Sequence, residues 1–137
     1  MDSMREDNEL LRDLYGLLAE WKKLTLAEGE YIRTGDWNAL ESLQSKKVVL
    51  QKSIETQEKA FSENRLTSDE RKSQERTRLK QMAAELLHLE KTNEALLSDR
   101  IAEADRQLKS SNKTIQSLRH VQKAYGSGRH SFWQAYS

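Results

Sequence analysis

Cysteine and proline are both missing from this 137-residue chain, and glycine occurs only five times. Without cysteine there is no disulfide framework, no thiolate nucleophile and no cysteine zinc site. Nothing points to an oxidising compartment either, so the cytoplasm is the expected location. The lack of proline, with 33% charged against 36% hydrophobic residues, suits long solvated helices in a thin bundle better than a thick globular core. Long apolar runs are absent too. None approaches the roughly 18 residues that a membrane span needs, and Met1 to Asp7 is polar, so neither a cleaved signal nor an anchor is expected. Acidic residues are lacking in one region only. The net charge is +1, yet no Asp or Glu follows Asp105, whereas Arg106, Lys109, Lys113, Arg119, Lys123 and Arg129 do. The first thirty residues lean to the acidic side, so the two ends are expected to pack antiparallel with complementary charge.

Histidine is limited to His88, His120 and His130, and no two of them stand four apart around a glutamate as in a helical zinc hydrolase motif. No metal and no cofactor is expected. The many carboxylates fall beside Lys and Arg on polar helix faces, where they read as solvated i,i+4 pairs. Gly126-Ser127-Gly128 follows a helix rather than a strand and reads as a linker, not a phosphate cradle. The sequence therefore predicts no catalysis. Tyr125, His130, Phe132, Trp133 and Tyr136, interleaved with basic residues, are of the types that stack bases and neutralise phosphates. Against that stand the balanced overall charge and the apolar Leu108, Ile115, Leu118 and Val121, which call for a protein groove. Neither nucleic acid nor membrane insertion is expected.

What is present is helical periodicity. Ser3 and Glu6 have capping-box spacing, and Leu10, Leu14, Leu17, Trp21, Leu24 and Tyr31 then advance by steps of four and three, with Glu28 occupying one slot. Gly16 and Gly29 each cost up to about 1 kcal/mol inside a helix, so either the face needs close approach there or the helix is locally soft. Thr34-Gly35-Asp36 predicts a stop: a glycine C′ residue followed by an Asp cap. A second helix carries Trp37, Leu40, Leu43, Leu50, Ile54 and Phe61, with Lys47 and Gln57 in two apolar slots. After a polar lapse from Ser62 to Ser68, Thr67 and Glu70 offer another capping box. A third and longest helix follows through Leu79, Leu86, Leu97 and Ile101 to Val121. The expectation is all-α: an antiparallel bundle of three long helices over about 3–34, 36–62 and 67–124, packed like a coiled coil. Any kink is placed near Ser110 to Asn112. Residues 1–125 form the single domain, and 126–137 are expected to be a flexible basic and aromatic tail. On pattern alone the stripe from Leu108 to Tyr125 is either core or interface.

The stretch Glu28-Gly-Glu-Tyr-Ile-Arg-Thr-Gly-Asp-Trp-Asn-Ala-Leu-Glu-Ser-Leu, with Lys46, Lys47, Val48 and Leu50 after it, resembles the FlgN-type flagellar export chaperones. Asn93-Glu-Ala-Leu-Leu and the closing Ala124-Tyr125-Gly126 are similar to that family's last helix and tyrosine-bearing end. The resemblance implies a cytoplasmic type III export chaperone that binds the C-terminal helices of hook-associated proteins. It would prevent their premature assembly and deliver them to the export gate and its ATPase complex, as a monomer or weak homodimer. It also implies cargo binding by Leu108, Ile115, Leu118 and Val121 and gate docking by Tyr125. The alternatives are the coiled-coil stalk protein of the export ATPase and a structural coiled-coil oligomerisation subunit.

Overall fold

The computed structural model describes residues 2–65, 67–107, 112–125 and 129–136, and every element among them is helical. The helices are α1 (Asp2–Thr34), α2 (Trp37–Ser62), α3 (Asp69–Gln107), α4 (Asn112–Ala124) and α5 (His130–Tyr136). The all-α expectation holds, but the three-helix count does not. The expected Ser3 cap falls on side chains outside the described ones.

The first reversal forms as its residue types dictate. Gly35 takes φ 77°, and the Asp36 N–H donates to the Tyr31 carbonyl at 3.0 Å, closing α1 with a left-handed glycine. Asp36 Oδ1 then accepts from the Ala39 N–H at 3.2 Å and starts α2. At the second reversal the cap is not Thr67. Ser68 Oγ accepts the Arg71 N–H at 3.2 Å, while Thr67 and Asn64 donate to the buried Asp7 carboxylate on α1. A charged side chain on a neighbouring helix offered Thr67 a stronger partner than its own backbone.

Cross-helix bonds give the topology. Lys22 meets Glu85 and Arg100 meets the Ile32 carbonyl, so α1 and α3 run parallel, with α2 antiparallel between them in sequence. Gln122 donates to Ser98 and Arg119 pairs with Asp105, so α4 runs back along the end of α3 rather than extending it. His130 lies 3.2 Å from Glu94, continuing that return through α5. The expected continuous third helix to 124 is thus corrected to α3 plus an antiparallel α4. Of the kink expected near Ser110 to Asn112, Ser110 and Ser111 lie outside the described residues, and Asn112 opens α4. Residues 130–136 are not a tail: α5 packs on α3 and buries Trp133. Phe132, Trp133 and Tyr136 recur at helical spacing, and an apolar face this dense gains more by burial than a short segment loses in chain entropy. The bundle therefore has four columns, the fourth split into two short helices.

Candidate functional site: a buried ionic layer

The core is divided in two. One apolar cluster holds Leu14, Leu18, Trp21, Ile54, Leu86 and Trp133; the other holds Ile32, Leu40, Leu97, Leu118, Val121 and Tyr125. Between them each column contributes a charged residue: Glu28 from α1, Lys47 from α2, Glu90 from α3, and Arg129 just ahead of α5. Glu28 and Glu90 are 0% exposed, Lys47 1% and Arg129 6%.

Two carboxylates facing two cations make the layer neutral, and almost every polar atom in it has a partner. Lys47 Nζ donates to Glu28, to Glu90 and, at 2.7 Å, to Thr25 Oγ1. Arg129 Nη1 lies 3.2 Å from Glu90 and 3.4 Å from Glu28, and its Nη2 donates to Gln44. The Tyr125 hydroxyl donates to Glu28 at 2.8 Å. Asn93 donates to the Thr25 carbonyl at 2.8 Å, directly opposite Gly29, where a Cβ would sit 2.9 Å from Asn93 Oδ1. That close approach accounts for Gly29; around Gly16 there is nothing within 4 Å. Lys47 Nζ also stands 4.3 Å from the Trp21 ring centroid, and the Arg129 guanidinium 4.7 Å from that of Tyr125, both within cation–π range.

Burial pushes the Lys47 ammonium below its ordinary pKa of 10.5, and the neighbouring Glu28 and Glu90 only partly offset it. Burial acts on Arg129 in the same sense, but there the Glu90 and Glu28 carboxylates outweigh it and the pKa is raised. The Tyr125 phenol is pushed up, first by burial and then by Glu28 and Glu90, so it stays a hydrogen-bond donor.

Comparison of the chain with protein-family models, with curated proteins and with solved structures found no match in any of the three.

Of the residues that the sequence singled out, Leu118, Val121 and Tyr125 come together, but inside the second apolar cluster, with exposures of 1%, 2% and 0%. Ile115 is half-buried and Leu108 lies outside the described residues. The stripe that on pattern alone was either core or interface is core at Leu118, Val121 and Tyr125, where α4 turns back and packs them with Ile32, Leu40 and Leu97. The basic aromatic end is likewise internal, since Arg129 is paired and the rings of Trp21, Phe132, Trp133 and Tyr136 meet edge-on or tilted, with Trp21 and Trp133 centroids 5.2 Å apart. The residues missed were Glu90, Arg129, Gln44 and Asn93. Glu28 and Lys47 had left a signal, each standing where an apolar residue was due.

One open surface touches the predicted set. A groove of about 510 Å3 between α2 and α4 is lined by Glu41, Gln44, Val48, His120, Val121 and Ala124. Val48 is 54% exposed, and Val49 beside it 66%. Among the described residues no three His, Asp or Glu side chains are grouped to hold a metal, and no helix is long and apolar enough to cross a membrane.

Proposed function

We propose that this chain is a helix-binding export chaperone of the flagellar type III kind, acting in the cytoplasm on the C-terminal helices of hook-associated proteins. The observation that carries the reading is the groove between α2 and α4. Val48 and Ala124 line it over the buried Val121, with polar rims from Glu41 and His120, which is the chemistry that accepts one face of an amphipathic helix. Val121 belongs to the cargo stripe that the resemblance implies, and Val48 to the motif that carries the resemblance. Leu118 is buried in the second apolar cluster and does not line the groove. Tyr125, whose hydroxyl is held by Glu28, reaches the export gate only in a state where the α4–α5 arm has left the bundle.

No catalytic step is part of this proposal, and neither nucleic acid nor membrane is a partner in it. The stalk and scaffold alternatives fit less well, since the chain breaks at Gly35 and again around Ser68 and closes its seams on itself. The free protein is accordingly a monomer or weak homodimer.

The test is a titration of full-length protein with a hook-associated protein's C-terminal segment. Val48→Glu is expected to weaken binding at least about tenfold, the scale of a lost interface anchor, with an unchanged melting temperature because Val48 is exposed. Unchanged affinity in a folded Val48→Glu variant would remove the groove from the function. No binding by the unmodified chain would remove the chaperone reading altogether.

A further inference from the structure

The trough that α5 fills is built by other parts of the chain. Its walls are α1, α2 and α3, three long helices of which α1 packs on both of the others without α5. Into it α5 inserts Trp133, with Phe132 and Tyr136 against the rim, while Arg129 delivers the guanidinium that balances Glu28 and Glu90. Remove this segment and one ammonium, Lys47, faces two buried carboxylates. The trough thus has a stated appetite: a cation at one position and aromatic rings three, four and seven residues on.

α5 itself spans only seven residues, far below the dozen or so at which an isolated helix becomes even marginal in water, so it is helical because it is docked. Beside Ala135 and Tyr136 a cavity of about 300 Å3 lies between α2 and α3, lined by Phe61 and Leu79, by Lys72, Arg76 and Lys80, and by Glu58. Those three cations recur every four residues on one face of α3.

We propose that this trough is a receptor for amphipathic helical segments bearing an arginine one turn ahead of paired aromatic residues and carboxylates beyond them, and that such a partner segment binds by taking the place of α5. The inference rests on the helix-binding reading above, but on neither the α2–α4 groove nor the identity of any cargo. Sequence order sets the fit. The partner's arginine meets Glu28 and Glu90, its aromatic residues meet Trp21, Leu14 and Leu86, and its carboxylates reach Lys72, Arg76 and Lys80, for which His130–Tyr136 has no acidic side chain. A linked occupant competes at high effective concentration, so a partner must offer more than α5 does, and the carboxylates are that surplus.

The probe is a fluorescein-labelled peptide, Arg-His-Ser-Phe-Trp-Gln-Ala-Tyr followed by Ser-Glu-Glu-Glu, titrated by anisotropy against the full chain and against the full-length Trp133→Ala variant, whose own α5 is weakened. The peptide is expected to bind the variant about tenfold or more tighter than the unmodified chain. It should lose at least as much when its arginine is replaced by glutamate, the scale of a truncated anchor. Replacing its glutamates by lysines should weaken it several-fold, and more so at low salt. If circular dichroism shows Trp133→Ala unfolded, Phe132→Ala, at a half-buried ring, takes its place. Equal affinity for variant and unmodified chain, equal affinity of the arginine and glutamate peptides, or no saturable binding to a folded variant would each overturn the proposal. None of these outcomes bears on cargo binding at Val48, so the two readings fail separately.

Discussion

Lys47 occupies a position that helical periodicity assigns to an apolar side chain, yet it is as buried as the leucines around it. Such a residue is tolerated only when its charge is answered, because breaking a buried pair leaves an uncompensated ion and costs about 3–5 kcal/mol. Lys47→Met is therefore expected to lower unfolding free energy by about that amount in urea, since Glu28 and Glu90 would then share Arg129 alone. Adding Glu28→Gln restores neutrality, so the double variant should be more stable than Lys47→Met. A double variant as unstable as the two single losses added together would mean that the layer is not coupled. The phenols give a pH signature. Burial and Glu75 raise Tyr15 to about 12, burial with Glu58 and Glu55 raises Tyr136 to about 12, and Tyr125 is raised further. A folded pKa above the unfolded 10 gives stability that is complete below pH 10 and lost as pH climbs towards 12. Lys47, lowered, works in the opposite sense, with its gain complete by 10.5. Net stability should therefore fall between pH 10.5 and 12, with these three phenols ionising later in the native protein than in urea when followed by ultraviolet absorbance. Native phenols that ionise as early as unfolded ones would refute this.

Glycines on α1 separate helix propensity from packing. Gly16 has open space where a Cβ would go, so Gly16→Ala is expected to stabilise by up to about 1 kcal/mol, the helix-interior difference. The same change at Gly29 drives a methyl into Asn93 and strains its bond to Thr25, so it should give no gain or a loss. Thermal melts of the two variants side by side decide between packing and propensity. On α4, Leu118→Ala should cost about 2–5 kcal/mol, as for a fully buried leucine, and Ile115→Ala clearly less because it is half-buried. If Leu118→Ala left the melting temperature unmoved, the packing of α4 on the bundle would not persist in solution.

The four columns differ in how they hold. α1, α2 and α3 carry 33, 26 and 39 residues, whereas α4 and α5 carry 13 and 7. Short elements docked through a few side chains open at lower free energy than the long ones they lie on. Amide hydrogens of α5, and after them those of α4, should exchange well before those around Leu14, Ile54 and Leu86. Uniform protection across all five helices would show one cooperative block with no separable arm.

Periodicity alone was enough for the helical class, the Gly35 reversal, the polar break near Ser68 and most of the apolar faces of α1 and α2, because these depend on residues within a turn or two of each other. It also marked Glu28 and Lys47 as out of place without revealing why. The return of α4 along α3, the docking of α5, and the meeting of Glu28, Lys47, Glu90 and Arg129 join residues up to 101 positions apart. A helical stripe records only that one side is apolar, not which surface covers it, and a charge in that stripe records no partner. Only the packed columns supply both, which is why the stripe through Leu118 and Val121 could be read from sequence as core or interface alike and stands in the fold as core.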